Sequence, residues 1–373
     1  MKQLLLSLML FMIFGTALPQ VTVVYHECFE APAYGDSVIS SLDSNAFPHW
    51  VDNGSLAATG SHAIHCVTPF GAAASLSTIP FSTVGMNLIL FSFAHICTVD
   101  TSDPATLYVS PDNGITWIQP GAAEYLGFGT DSAGNYHYAY PSYKPWELNA
   151  SGQFPANSWW VTEYYDLSSL LFDCPQALIR FDLSDGGTPG SGGLYGWVID
   201  DIRVMEATFL GGRVIYASQP PQVLTDSTIV TLTGPLTAES AVNPRGGFAF
   251  VGLPADTFNL AVTTTKEAGG WNASDAYMVL ATFTGTPNLL SGIYRLAGDV
   301  NGSGGIPNAA DAIAIHRRFL HQIPDFMPPS VNPPGKPDWI FQPNVIIVGQ
   351  GIQGNIQIPA ICTGDTNASF ILY

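Results

Sequence analysis

The sequence predicts a mostly β chain of two sandwich modules followed by a small α-helical module, and three observations predict it. Only 11% of the 373 residues are charged, while Gly, Pro and aromatic residues are abundant, a composition that suits short strands joined by turns. Apolar segments of strand length recur between Gly, Pro, Asn and Asp from residue 87 to residue 265. Beyond them, residues 272 to 283 and 308 to 319 match at an offset of 36 and space their apolar side chains as helices do.

The chain opens on Lys2, the apolar run Leu4 to Phe14 and the small residues Gly15 and Ala17. This is the pattern of an export signal over residues 1–20, too short to span a bilayer. The expectation is a secreted or cell-surface protein. Its net charge of −18 is concentrated early, because residues 21 to 208 carry nineteen acids against Lys144, Arg180 and Arg203. Such a field repels nucleic acid and anionic lipid and attracts divalent cations. Cys28, Cys66, Cys97 and Cys174 could pair in any of three ways, or remain buried thiols, and Cys362 stands alone.

The first module, residues 21–207, draws its strands from Asn87–Phe93, Ala105–Ser110, Trp160–Leu167, Ala177–Leu183 and Gly196–Val204. Its opening His26-Glu27-Cys28-Phe29-Glu30 and its closing Leu194 to Ile202 resemble the jelly-roll modules related to MAM and reelin-repeat domains. Ser110-Pro111-Asp112-Asn113-Gly114-Ile115-Thr116-Trp117 matches the Asp-box pattern S-x-D-x-G-x-T-W, which implies a hairpin and no chemistry. A sialidase propeller would repeat that box, and this chain shows one. His26 to Glu30 is not a zinc-peptidase motif, since it ends in Glu and lies in a predicted strand. His62 and His65 lack a third convergent ligand. Glu30, Asp36, Asp200 and Asp201 form a candidate calcium set if the first and last strands pair, with a solvated acidic edge as the equal alternative. Tyr138, Tyr140, Tyr143 and Trp146 crowd one loop, either as a contact surface for sugars or proteins or as cover for the module's own sheet.

The second module, residues 209–266, places strands at Gly211–Ala217, Ser227–Leu232, Gly247–Val251 and Phe258–Thr265. It resembles the carboxypeptidase regulatory-like sandwich, of Ig/prealbumin-like build, which implies a rigid spacer.

The third module, residues 267–373, contains the repeat. Ahead of its second copy, Asp299, Asn301, Ser303 and Gly305 stand at alternate positions, with Asp311 at the helix start. A hard cation requires converging oxygens in this order. The segment resembles the EF-hand-like loop of type I dockerins, with Pro307 as an extra loop residue and Ser303 where an acid is usual. The first copy, around Asp275, has no such loop before it. Asp365, Asn367 and Ser369 reproduce the pattern at the far end with no helix after it. A split, circularly permuted dockerin with calcium as its cofactor would join the two halves. By resemblance, partner contacts fall on Ala309, Ala310, Arg317 and Arg318, and a cohesin-like scaffold is the implied partner.

The functional expectation is a calcium-binding adhesion or binding protein for an extracellular glycan or protein. The alternatives are a carbohydrate-binding component of a polysaccharide-degrading system and a secreted glycoside hydrolase or peptidase. The chain carries neither G-x-S-x-G nor H-E-x-x-H.

Overall fold

The computed structural model describes residues 21–30, 38–41, 50–66, 73–99, 103–127, 154–184, 195–225, 227–243, 245–285, 289–326 and 337–372. The leader, Asp36 and the aromatic loop with Tyr138, Tyr140, Tyr143 and Trp146 lie outside them.

Ten strands build the first sandwich: β1 (Thr22–Glu27), β2 (Val38–Ser41), β3 (Trp50–Asn53), β4 (Ala63–Cys66), β5 (Ala73–Thr78), β6 (Leu90–Thr98), β7 (Ala105–Ser110), β8 (Val161–Asp166), β9 (Leu178–Ser184) and β10 (Gly196–Glu206). One sheet runs β3-β4-β10-β6-β8, with β1 also on β10, and the other runs β2-β5-β9-β7. All pairings are antiparallel. The first and last strands pair as jelly-roll topology requires, Glu27 opposite Ile202. Strand β9 alternates inward Ile179, Phe181 and Leu183 with outward Arg180 and Asp182, the pattern of a sheet with one wet face. Strand β6 is buried along its whole length, because β8 and β10 flank it and the second sandwich covers part of its outer face.

The second sandwich contains β11 (Phe209–Tyr216), β12 (Gln222–Val223), β13 (Thr228–Thr233), β14 (Thr237–Ala241), β15 (Gly247–Val251) and β16 (Asp256–Thr264). The chain then leaves it for three helices, α1 (Ala273–Phe283), α2 (Gly292–Gly298) and α3 (Ala309–Phe319). It returns as β17 (Trp339–Phe341), β18 (Val345–Val348) and β19 (Ile352–Cys362). One sheet is β12-β11-β19-β17 with β15 on β11, and the other is β14-β13-β16-β18. The sandwich therefore does not end at residue 266. Residues 339–362, placed by sequence in the helical module, complete both of its sheets, and β19 lies parallel to β11. Buried Val230, Leu232, Phe258, Ile358 and Ala360 share one core. At Gly212 the two parallel strands approach so closely that a Cβ would lie 2.1 Å from the Ile356 carbonyl oxygen.

The two sandwiches touch through a small apolar cluster of Leu90, Leu126, Met205 and Phe209 and through a buried ion pair. Arg245, in the turn before β15, donates to Glu163 of β8. All five cysteines are free thiols. Burial pushes Cys66 up to about 12, so it packs as an apolar side chain. No helix among the described residues is long and apolar enough to cross a membrane.

Candidate metal centre

Helices α1 and α3 begin in the same way. Asn272 and Asn308 cap them, accepting from the backbone N–H of Ser274 and Ala310, while Asp275 and Asp311 accept from the cap residue's own N–H, each at 2.8 Å. These are capping boxes with Asn and Asp in place of Ser and Glu. Each box leaves the second oxygen of its Asp turned toward a loop.

For α3 that loop is the one just before it. Asp311 Oδ1 accepts from Asn301 N at 3.1 Å, Asp299 Oδ1 accepts from Ser303 N at 3.0 Å, and Asp299 Oδ2 accepts from Gly304 N at 3.1 Å. Asn301 Oδ1 also accepts from Ser303 N at 2.8 Å. For α1 the loop comes from the far end of the sequence. Asp275 Oδ1 accepts from Asn367 N at 3.0 Å, Asp365 accepts from Ser369 N and Phe370 N at 3.0 Å each, and Asn367 Oδ1 accepts from Ser369 N at 3.0 Å. The two networks correspond bond for bond. Both loops open on Gly-Asp, and both turn at a left-handed residue, Gly302 (φ 65°) in one and Ala368 (φ 51°) in the other. Helix α1 packs against α3 around Val279 and Ile315. The pieces that sequence reading joins, Asp275 with Asp365, Asn367 and Ser369, are thus adjacent.

Asp275, Asp311 and Asp365 have no solvent exposure, and Asp299 has 5%. Burial, and then the charge of Asp365, pushes the Asp275 carboxyl up to about 6. Burial likewise raises Asp365, which also accepts from the Tyr216 hydroxyl of β11. Two carboxylates held together out of water are costly unless a proton or a cation is shared between them. Each loop supplies two carboxylates, one carboxamide and one hydroxyl, the hard-oxygen set that calcium takes. Among the described residues no three of His, Cys, Asp and Glu gather in a metal-holding group, so the remaining oxygens would come from Asn, Ser and the backbone. Gly305 is engaged otherwise, since its carbonyl accepts from Arg295 Nε at 3.1 Å.

The acidic set of the jelly roll is arranged differently. Glu30 accepts from the backbone of Ser61 and His62 and from the Ser61 hydroxyl, and these bonds hold its carboxyl below the usual range. Asp200, raised to about 6 by burial, accepts from Ala58 N and Thr59 N. Asp201 faces away to His26 and Arg203. Glu30 and Asp200 therefore clamp one loop, residues 58–62, from two sides, and Asp201 does not join them. His62 pairs with Asp52, and His65 stacks on Tyr195 at 4.3 Å. In the Asp-box hairpin, Asp112 accepts from Thr116 N at 2.8 Å and from its hydroxyl at 2.7 Å, Gly114 takes φ 86°, and Trp117 lies under the Arg180 guanidinium at 4.1 Å.

No family model matches the chain, and no curated protein matches it. Among solved structures it is similar to the K2 cleaved adhesin domain of Lys-gingipain, at 12% identity and TM-score 0.28, over 48% of this chain and 98% of that one. It is similar to TmCBM27, a carbohydrate-binding module described for specific mannan recognition, at 15% identity and TM-score 0.28, over 50% and 98%. A third similarity is to the major pilin SpaD from Corynebacterium diphtheriae, at 13% identity and TM-score 0.17, over 54% and 55%. Scores this low carry no argument about ligand, and the β-sandwich assignment rests on the strand pairing itself.

Of the partner-contact residues, Ala310 and Arg317 are exposed and Ala309 is half-buried. Arg318 is not presented outward. Its guanidinium lies 4.3 Å over the Trp271 ring and 3.8 Å from Asp325, packed against the module's own surface. Sequence reading also missed Glu163, Tyr125, His95 and Arg245, which form one buried polar cluster. Glu163 and His95 signalled themselves as polar residues at inward positions of β8 and β6, whereas Tyr125 and Arg245 lie outside strands and carried no such signal.

Proposed function

We propose that the chain is an extracellular binding or adhesion protein whose helical module is a split, two-site calcium module of the dockerin type, mounted on a sandwich spacer and carrying an acidic jelly roll that meets a glycan or protein ligand. The observation that carries this reading is the bond-for-bond correspondence of the two loops, one of them assembled from residues 92 positions apart in sequence. A polar turn has no reason to reproduce its partner's pattern of alternate oxygens around a buried helix-cap Asp. A site for a hard cation does.

In this reading Asp299, Asn301, Ser303 and Asp311 hold one ion, and Asp365, Asn367, Ser369 and Asp275 hold the other. Calcium would supply the positive charge that relieves the repulsion between Asp275 and Asp365, fixing residues 363–370 against α1. The exposed side of the α1–α3 pair, with Ala310 and Arg317, would then be the surface for a cohesin-like scaffold. Calorimetric titration of the chelator-treated chain with calcium tests the reading. Two sites are expected in the intact chain and one in Asp365→Ala. Equal calcium uptake by both proteins, or no uptake by either, rejects it.

A further inference from the structure

A cavity of about 210 Å³ lies between the two sandwiches. Interfaces between packed modules ordinarily fill such space, and here small side chains keep it open. Gly127, Ala241 and Ala249 line it. At Gly127 a Cβ would meet the Tyr125 hydroxyl at 2.3 Å and the Glu163 carboxylate at 2.8 Å, so nothing larger fits that backbone path.

The remaining walls are aromatic and hydroxyl-rich. Trp160 and Tyr164 stand half-buried on the jelly-roll side, Tyr164 packed on Phe209 at 4.9 Å, and Phe248 of β15 contributes to the lining while packing in the second sandwich's own core. Among the described residues nothing engages the Thr162 hydroxyl. The Asn243 carboxamide uses only its oxygen, which accepts from Arg245 N and Gly247 N at 2.9 Å each, so its NH₂ remains available. Beneath them Glu163 and Arg245 form a closed ion pair. That pair presents dipoles with no net charge, the jelly roll around it is strongly acidic, and Arg213, the second cation in range of Glu163, does not line the cleft, so the wall offers an anion no cation that is not already paired. A ring-shaped, uncharged molecule edged with hydroxyls satisfies the stacking walls and the free donors together. The volume admits about one sugar ring.

We propose that this cleft binds one neutral pyranose unit of a saccharide. The proposal rests on the reading of the chain as a binding protein, and it places part of that binding at the junction of the modules. The test is calorimetric titration of the full chain with mannohexaose, cellohexaose, xylohexaose and chitohexaose. One site is expected for at least one of them. Ala241→Trp, at an exposed position of β14, fills the cavity without touching either core and should abolish that binding at unchanged thermal stability. Trp160→Ala should weaken it about tenfold by removing a stacking ring. Absence of binding by all four oligosaccharides, or binding that survives Ala241→Trp, overturns the proposal. An array of glycans and matrix proteins separates the two claims. Hits that persist in Ala241→Trp remove the cleft but keep the binding reading, whereas an empty array removes both.

Discussion

Replacing Arg245 by Met should unlock the two sandwiches. Glu163 is 3% exposed and accepts three bonds: from Arg245, from the Tyr125 hydroxyl at 2.6 Å and from His95 Nε2 at 3.3 Å. His95 can only donate here, because its Nδ1 accepts from Trp197 Nε1 at 3.1 Å and burial keeps the ring neutral. Without Arg245 the carboxylate retains two neutral donors, one of them long, and loses the cation that donates to it, leaving the charge of Arg213 to act on it. Breaking a buried pair in this way costs about 3 to 5 kcal/mol, and the surviving Tyr125 bond argues for about 3. The pH dependence gives a sharper signature. In the intact chain burial pushes Glu163 up, but the charge of Arg245 and the His95 bond outweigh it, so the carboxyl titrates below its usual range. The stability it contributes is therefore complete near neutrality and is lost as pH falls through that depressed value. In Arg245→Met burial is opposed less, by the His95 and Tyr125 bonds without the Arg245 charge, so the carboxyl rises and acid relieves the variant. The stability difference, from urea unfolding followed by tryptophan fluorescence, should be largest near pH 7 and shrink toward about pH 4. The double variant Glu163→Gln/Arg245→Met should recover about 2 kcal/mol of the loss. A difference below about 1 kcal/mol, or one that does not change with pH, would refute the buried pair as the lock between modules.

Three further outcomes follow from the geometry. Gly212→Ala drives a methyl into the Ile356 carbonyl and should destabilise the second sandwich by about 3 kcal/mol, read by chemical denaturation. With divalent ions chelated, Asp275, raised to about 6, opposes folding above that pH and is relieved below it. Lowering pH from about 7.5 to 5 should then stabilise the metal-free helical module by on the order of 2 kcal/mol, and Asp275→Asn should remove the response in thermal scans followed by circular dichroism. Asp112→Ala removes the two Thr116 bonds of the Asp-box hairpin, so cleavage there by a nonspecific protease should quicken while the thermal transition of the helical module is unchanged.

Much of this molecule was legible wherever the sequence pattern is local. Residues 105–110 and 247–251 are strands at the expected bounds, and both helices follow the expected Asn caps, because alternation, helical spacing and capping chemistry act within a few residues. The split loop was legible for a different reason: a duplicated motif missing one half in each copy points to its complement. Three features were not legible. The helix Gly292–Gly298 is too short to show a period. Strands 339–362 carry strand-like residues, yet their membership of the second sandwich depends on a parallel pairing with residues more than a hundred positions earlier. Arg245 sits in a Pro-Arg-Gly-Gly turn that reads as surface, and only the approach of β8 makes it buried. Arg318 misled in the opposite sense, since nothing local distinguishes an outward cation from one lying on Trp271.

The parallel pairing of β11 and β19 has a mechanical meaning. Strand β11 starts at Phe209, three residues after the last strand of the jelly roll, and β19 ends at Cys362, immediately before the second carboxylate loop. A pull between the jelly roll and residues 363–372 enters β11 at its first residue and leaves β19 at its last. Because the strands run in the same direction, that load acts along them, and the hydrogen bonds from Phe209–Ile352 to Tyr216–Ala360 must fail together instead of opening one by one. The close contact at Gly212 lies in the middle of this ladder. The fold thus puts a shear-loaded seam between the acidic module and the second carboxylate loop.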